Sequence, residues 1–245
     1  MDPKEVRKYA EEFEERSAQE VLGWALRRYG DQVALASSFG AEDVVLIDMM
    51  VKIDPRSRIF TLDTGRLPQE TYEVMERIRD KYQVEIEVFF PEAKAVEEMI
   101  EEYGPNLFYE SMELRKLCCE VRKIRPLNRA LGGLEAWICG LRRAQAVTRT
   151  EVGKIEVDGA HNSIVKINPL ADWTEEQVWD YIEKNDVPYN ALHDRNYPSI
   201  GCAPCTRAIG PGEDTRAGRW WWEMPEKKEC GLHIKSADEV TLDRD

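Results

Sequence analysis

The stretch QVALASSFGAEDVVLIDMMV, residues 32–51, reads as a strand, a turn and a helix in direct succession. Residues 32–36 form a short apolar run typical of a buried strand, and residues 43–51 have the apolar pattern of a helix. The turn between them is Ser37-Ser38-Phe39-Gly40. Its backbone N–H groups are suited to hold a phosphate or adenylate group. The turn lacks the Lys-Ser/Thr ending of a Walker loop, which disfavours triphosphate hydrolysis.

The same alternation continues on both sides of this stretch. Two helices precede it, the second opened by a capping box between Ser17 and Glu20. Further strands are predicted at 58–62, 84–89, 136–140 and 163–167, with helices from 68 to 82 and after Thr174. Strands separated by helices predict an α/β fold with a mostly parallel sheet flanked by helices. The turns at 37–40, 63–66 and 140–143 should converge at the carboxyl ends of the strands and form a nucleotide-sized crevice.

Composition narrows the class of protein. The 245 residues are 42% hydrophobic and 33% charged, as in ordinary globular proteins. No apolar run approaches the ~20 residues that span a bilayer, and the polar N-terminus lacks the apolar core of a signal peptide. A net charge of −13 argues against nucleic acid or an acidic membrane as a partner. We therefore expect a cytoplasmic enzyme, and the sequence leaves open whether it forms a homo-oligomer.

Four of the six cysteines form two pairs, Cys118–Cys119 and Cys202-Ala-Pro-Cys205. In a reducing compartment such pairs are more often metal ligands than disulfides. Thiolates bind both structural zinc and iron–sulfur clusters, so zinc is the competing interpretation. Adjacent thiolates are hard to aim at one tetrahedral zinc ion, whereas a cubane offers separate iron corners. The pattern therefore favours a [4Fe–4S] cluster.

The other two cysteines have different surroundings. Cys230 stands in Glu-Cys-Gly-Leu-His, with two lysines before it and His233 after it. Cationic neighbours favour the nucleophilic thiolate, although a surface thiol or a fifth metal ligand fits the same residues. Cys139 falls in a predicted strand and is expected to be a buried small hydrophobe. His161 and His193 have no interpretable spacing, and we assign them no role.

Basic and aromatic residues gather near the cysteines. Segment 115–129 has six basic side chains against one acidic one, and further arginines cluster at 142–149 and 207–219. Arginines grouped in this way in an acidic protein predict an anion pocket. Beyond Pro188 the chain is irregular and rich in Gly, Pro, Cys and Arg. We expect its tryptophan block, residues 220–222, to pack against the sheet rather than to stack on a base.

Seven segments together resemble the assimilatory sulfonucleotide reductases, specifically the cluster-containing adenylyl-sulfate (APS) reductases within the phosphoadenylyl-sulfate (PAPS)/APS reductase family. They are SSFGAED at 37–43, LDTGR at 62–66, CCEVRK at 118–123, GLRR at 140–143, GCAPCTR at 201–207, RAGRWWWE at 216–223 and ECGLH at 229–233. The resemblance implies an adenine-nucleotide α-hydrolase-like fold related to the PP-loop enzymes, with an irregular C-terminal segment. It divides the chain into a sulfonucleotide-binding and Fe–S domain at 1–223 and a mobile tail at 224–245.

The resemblance also implies a reaction and its residues. APS and reduced thioredoxin would give sulfite, AMP and oxidised thioredoxin, in assimilatory sulfate reduction leading to cysteine. Cys230 would be the nucleophile that carries an S-sulfocysteine intermediate. The [4Fe–4S] ligands would be Cys118, Cys119, Cys202 and Cys205. The substrate-binding residues would be Ser37, Ser38, Gly40, Leu62, Asp63, Thr64, Lys123, Arg149, Arg216, Arg219 and His233.

Three other functions stay open at this point. A PAPS reductase, or an enzyme that accepts both sulfonucleotides, is the nearest alternative. An Fe–S tRNA thiolase of the PP-loop class would need a Ser-Gly-Gly-x-Asp-Ser-type loop and a basic RNA-binding face, and the chain has neither. A metal-binding redox sensor without turnover is the third.

Overall fold

The computed structural model describes residues 3–146 and 149–224. One six-stranded sheet with the strand order β3-β2-β1-β4-β6-β5 organises them. The strands are β1 (Val33–Ala36), β2 (Arg58–Leu62), β3 (Ile86–Phe89), β4 (Ala136–Ile138), β5 (Ile155–Asp158) and β6 (Ile164–Ile167). Every pairing is parallel except that of β5 with β6. The predicted α/β fold with a mostly parallel sheet is therefore confirmed.

Helices cover the sheet. They are α1 (Pro3–Phe13), α2 (Ala18–Tyr29), α3 (Ala41–Ile53), α4 (Gln69–Tyr82), α5 (Ala93–Tyr103), α6 (Met112–Cys119), α7 (Arg125–Leu131) and α8 (Glu175–Lys184). A π-helical turn, Glu120–Ile124, joins α6 to α7. The predicted capping box forms at Ser17 with Glu20, and a second one forms at Thr174 with Gln177. Among the described residues, no helix is both long and apolar enough to cross a membrane.

Side chains that alternate along the strands divide the core between the two faces of the sheet. Leu35 of β1 packs with residues of α2 and α3, while its neighbour Ala34 packs with Leu127 and Leu131 of α7. Because both faces are covered, strands such as β1 are apolar throughout, as is usual for parallel sheets. The carboxyl ends of β1 and β4, which are neighbours in the sheet, are left open for a site.

A third, smaller apolar cluster lies away from the sheet. It consists of Met99, Leu107, Phe108, Cys118, Val121, Cys202, Cys205 and Trp220. Trp220 is buried here, whereas Trp221 is 39% exposed and Trp222 contacts the ring of Tyr109 at 4.5 Å. The expectation that the tryptophan block packs against the sheet is therefore wrong. Trp220 and Trp222 pack in the apolar cluster that contains three of the cysteines.

The structure differs from the sequence-based elements mainly at the sheet edges. The edge strand β5 was not predicted, because its four residues, IEVD, carry only two apolar side chains. The third strand begins at Ile86 rather than 84, and the fourth ends at Ile138 rather than 140. The helix expected at 43–51 starts at Ala41, because Gly40 is its N-cap. Cys139 is buried as expected, directly after β4.

Candidate functional site

A cavity of about 260 Å³ opens at the carboxyl ends of β1, β2 and β4. The turns at 37–40 and 140–143 and Thr64 of the 63–66 turn all contribute to its wall, as predicted from the strand order. This is the point at which the strand order reverses about β1, where open α/β sheets bind their ligands. Nine of the predicted substrate-binding residues line it: Ser37, Ser38, Gly40, Leu62, Thr64, Lys123, Arg149, Arg216 and Arg219.

The turn after β1 is held by the protein itself. The Ser38 backbone N–H and hydroxyl both donate to Asp43 Oδ2, at 2.6 and 2.8 Å. The Phe39 N–H donates to the Ser37 hydroxyl, and the Ser37 N–H donates to the carbonyl of Phe60. These amides are therefore engaged in shaping the turn, so the turn offers the ligand a preformed surface rather than an open nest of N–H groups.

Asp43 is the anchor of this turn and is almost fully buried. Burial raises the pKa of Asp43 to about 6, against the opposing effect of the two Ser38 hydrogen bonds. Its other carboxylate oxygen lies where a Cβ on Gly140 would stand. Gly140 is therefore required by close approach, which explains the glycine at the start of the GLRR segment.

Asp63 is not among the residues that line the cavity. Its carboxylate accepts hydrogen bonds from the Gly65 N–H at 2.8 Å and from the Tyr72 hydroxyl at 3.0 Å. Its own N–H donates to the carbonyl of Phe89. Asp63 therefore braces the turn that carries Thr64, and its predicted contact with substrate stays a prediction.

Most of the clustered arginines are held in ion pairs. Arg142 pairs with Glu42 at 2.8 Å, Arg207 with Glu213 at 2.7 Å and the fully buried Arg115 with Glu223 at 2.7 Å. Only some of the clustered basic residues line the larger cavity, so the predicted anion pocket takes part of the clusters. The basic residues of its wall are Lys123, Arg142, Arg149, Arg216 and Arg219.

Cys118, Cys119, Cys202 and Cys205 line a second, smaller cavity. All four are buried, and none forms a disulfide. The first two end helix α6, and the π-helical turn that follows places Lys123 on the same wall. Cys202 directly precedes the tight turn Ala203–Cys205, and Cys205 is the last residue of that turn. π-Helical turns are rare and frequently lie at functional sites.

The thiols differ in their electrostatic surroundings. Burial raises the pKa of Cys118 above its usual range, and burial together with Cys202 raises that of Cys205 to about 12. Burial also opposes ionisation of Cys202, but Lys123 and the Thr64 hydroxyl, 3.2 Å from its Sγ, lower its pKa overall. The basic side chains thus favour a thiolate at the position closest to the larger cavity.

The two cavities share a wall formed by Lys123, Cys202 and Trp220. The Trp220 ring lies between the guanidinium groups of Arg115 and Arg219, at 4.8 and 4.7 Å. Arg219 in turn lies where a side chain on Gly201 would stand, so the glycine before Cys202 allows this close approach. The same three side chains therefore border both cavities.

Two of the predicted site residues and nearly all of the predicted tail lie outside the part of the chain that the structure describes. Cys230 and His233 lie outside the described residues, as does all of segment 224–245 beyond Met224. Within residues 3–146 and 149–224, no group of three or more His, Cys, Asp or Glu side chains is arranged to hold a single metal ion. Metal binding is therefore not shown, although the four cysteines lie around one cavity.

One residue of the cavity wall was missed by the sequence analysis. His193 lines the larger cavity, close to Glu42 and Trp179. It follows an irregular loop, so neither helical nor strand periodicity placed it near the site. The only available signal was its type, because histidine is uncommon in this chain.

Fold and site together define an α/β protein with a nucleotide-type cleft joined to a buried four-cysteine pocket. Residues 32–208 match the phosphoadenosine phosphosulfate reductase domain. The chain is 55% identical to the adenosine 5'-phosphosulfate reductase of Burkholderia cepacia, over 83% of this chain and 81% of that protein. It is 52% identical to that of Allochromatium vinosum, over 89% and 85%. The chain therefore belongs to the phosphoadenosine phosphosulfate reductase family, in its adenosine 5'-phosphosulfate reductase branch.

Solved structures agree with this assignment. The phosphoadenylyl-sulfate reductase of Candida auris, in a phosphate complex, superposes with a TM-score of 0.72 at 29% identity, over 85% of this chain and 98% of that one. Yeast FAD synthetase, with a TM-score of 0.55 and 11% identity, covers 98% of this chain and 85% of its own, and shares the fold alone. The predicted relation to PP-loop-type adenine-nucleotide enzymes is confirmed at the level of the fold.

Proposed function

We propose that the protein reduces APS to sulfite and AMP with thioredoxin as the electron donor, through an S-sulfocysteine on Cys230. The observation that carries the proposal is the shared wall of the two cavities. There Lys123 and Arg219 lie beside Cys202, at one end of a cavity that is large enough for most of a nucleotide. The named relatives are adenosine 5'-phosphosulfate reductases, which favours APS over PAPS.

The basic side chains have a defined task in this reaction. The sulfate and phosphate of APS are anionic, so a thiolate can approach the sulfur only where that charge is neutralised. Lys123, Arg216 and Arg219 line the cavity and supply positive charge for the phosphosulfate oxygens. Arg149, whose Nη1 donates to Gln145 Oε1 at 2.5 Å, supports them, and His233 is proposed to do so.

The proposed steps balance in atoms and electrons. The Cys230 thiolate attacks the sulfate sulfur, the bond from sulfur to the phosphate oxygen breaks, and AMP leaves with that electron pair. A thioredoxin thiolate then attacks Cys230 Sγ, which releases sulfite and forms a mixed disulfide. The second thioredoxin thiol resolves it and frees Cys230. Thioredoxin's dithiol is oxidised by two electrons, and the sulfate sulfur is reduced to sulfite.

The four buried thiols fit a [4Fe–4S] cluster better than a zinc ion. They surround one cavity, and the adjacent thiols of Cys118 and Cys119 suit separate iron corners of a cubane, each of which takes one thiolate. Cys118, Cys119, Cys202 and Cys205 would hold it. The cluster would supply order and local charge next to Lys123, and the electron balance above requires no change in its oxidation state.

The tail is part of the proposal on chemical grounds. Cys230 must meet a substrate inside a cavity and then a bulky protein partner, so segment 224–245 is proposed to act as a mobile lid. Limited proteolysis with and without AMP tests this: we expect AMP to slow cleavage of the tail. Equal cleavage rates with a saturating nucleotide would contradict the lid.

The central experiment traps the intermediate. The reduced holoprotein is incubated with sulfate-labelled APS or PAPS in the absence of thioredoxin and run on non-reducing gels. We expect label from APS in the wild type and in Cys139→Ala, which removes a thiol that has no role in the proposed reaction, and none in Cys230→Ser. Addition of reduced thioredoxin should release the label as sulfite.

The alternatives predict other patterns on the same gels. Equal trapping from PAPS would identify an enzyme of dual specificity, and trapping from PAPS alone would identify a PAPS reductase. Absence of any Cys230-dependent label from either nucleotide, with iron bound, would contradict the reductase and favour a sensor or a thiolase.

A further inference from the structure

His193 presents two buried ring nitrogens at the wall of the larger cavity. Neither nitrogen has a hydrogen-bond partner among the described residues. Buried polar groups in native proteins are almost always paired, because an unpaired one loses its hydrogen bonds to water without replacement. An imidazole with both nitrogens unsatisfied at a cavity wall therefore indicates a group that is paired only when the cavity holds a ligand.

The ring is held in a fixed place. The His193 backbone N–H donates to the carbonyl of Asn190 at 3.0 Å, and the ring stands edge-on to Trp179 with 5.2 Å between centroids. Burial lowers the pKa of His193 below its ordinary value, against the opposing effect of Glu42. The Tyr197 backbone also acts on the ring, but it does not reach hydrogen-bond geometry with either ring nitrogen. A neutral imidazole offers one donor and one acceptor, which suits a neutral polar group rather than an anion.

The charges around the cavity divide it into two ends. Near His193 the carboxylate of Glu42 is paired with Arg142, and the neighbouring Glu175 on the cavity wall is acidic. The opposite character is found at the wall shared with the cysteine cavity, where Lys123 lies and where Arg219 packs against Gly201. The anionic phosphosulfate belongs at the basic end, so the uncharged part of the ligand is left for the end that carries His193.

We propose that His193 is a nucleotide-binding residue whose ring nitrogens pair with a neutral donor–acceptor group of the nucleoside, either a ribose hydroxyl or the edge of the base. This inference rests on the proposed function, which requires that the cavity binds a nucleotide. His161 is the matched contrast, because its Nδ1 lies 2.9 Å from Asp158 Oδ2 and it is not part of the cavity wall.

The test uses the full-length holoprotein and AMP as the probe. Isothermal titration calorimetry should show AMP binding weakened about 10-fold in His193→Phe, which keeps an aromatic ring and removes both polar atoms. His193→Gln, which retains a donor and an acceptor, should recover part of the affinity. His161→Phe should bind AMP as the wild type does.

A spectroscopic readout separates a contact from a general loss of structure. The chain has three histidines, so ¹⁵N-histidine NMR resolves each ring, with the variants giving the assignments. AMP should shift the ring nitrogens of His193 and leave those of His161 in place. Ribose 5-phosphate in place of AMP distinguishes the sources: a His193 shift that persists identifies the ribose, and one that requires AMP identifies the base.

The outcomes are distinct. AMP binding that is equal in the wild type and His193→Phe, with no shift of the His193 ring, would overturn the inference and leave the proposed function standing. A wild-type protein that binds neither AMP nor APS would overturn both.

Discussion

The two cavities are built on different principles. The larger one is formed by the ends of regular strands and by a turn whose amides are already paired, next to the main hydrophobic core. The cysteine cavity is formed by a π-helical turn, a short 3₁₀ turn and the small apolar cluster described above. Four of the eight buried residues of that cluster are cysteine or valine. We therefore expect the sheet region to be stable by itself and the cysteine region to depend on the proposed cluster.

Removing one thiol should give the largest difference between the two regions. Cys202→Ser removes a proposed cluster ligand at the shared wall. We expect iron content and reductase activity to be lost, because metal binding and local folding are coupled, while far-UV circular dichroism of the sheet domain persists. Iron analysis and the APS assay measure this.

Cys139→Ala is the matched control, because Cys139 is equally buried but lies beside β4 in the larger cavity. It should keep its iron. A Cys202→Ser protein with wild-type iron content and activity would contradict the proposed difference between the two cavities, because the cysteine cavity would then be ordered without the Cys202 thiol.

The second prediction separates charge from order at the shared wall. Lys123→Ala should lower kcat about 100-fold, the usual effect of removing one preorganised group that stabilises developing charge, while the visible absorption of the cluster stays. Single-turnover release of AMP from APS measures the loss. Lys116→Ala, an exposed lysine on the same helical segment, should react at the wild-type rate. Loss of the chromophore in Lys123→Ala would instead make Lys123 a structural residue of the cysteine cavity.

The same contrast explains what could be predicted from the sequence. The strands β1 and β2 and the turns after them follow from local patterns of apolar and small residues, so the sheet and its cavity were predictable. The pairing of Arg115 with Glu223 and the position of Trp220 depend on contacts between distant loops, and no local pattern encodes them. His193 was missed for the same reason.

The third prediction concerns the sheet side alone. Asp43 has a pKa of about 6 in the folded protein, against an ordinary value of 3.8. Between these values the folded protein binds the proton more tightly than the unfolded chain, so the free energy of unfolding falls as the pH rises through this window. The full change is on the order of 3 kcal/mol. In Asp43→Asn this fall should be absent, as measured by urea unfolding from pH 4 to 7.

The exposed carboxyl of Asp31 provides the control, and Asp31→Asn should keep the wild-type pH dependence. Identical slopes in Asp43→Asn and the wild type would show that burial of Asp43 in the turn costs nothing. The absorption of the cluster should be the same in all three proteins at pH 7, because Asp43 lies on the sheet side only.

The smallest effect is expected where one hydroxyl joins the two regions. Thr64 lines the larger cavity, and its hydroxyl lies 3.2 Å from Cys202 Sγ. Thr64→Val keeps the shape and removes this contact together with the hydrogen bond that the Arg66 N–H donates to the Thr64 hydroxyl, which should cost about 1 kcal/mol of stability. Loss of iron to a chelator should become a few times faster, because Cys202 is less firmly held.

Thr61→Val, at an equally buried position on β2, is the control. Equal rates of iron loss in Thr64→Val and Thr61→Val would mean that the Thr64 hydroxyl does not hold Cys202 in place. Lys123 and Trp220 would then be the residues that connect the two cavities.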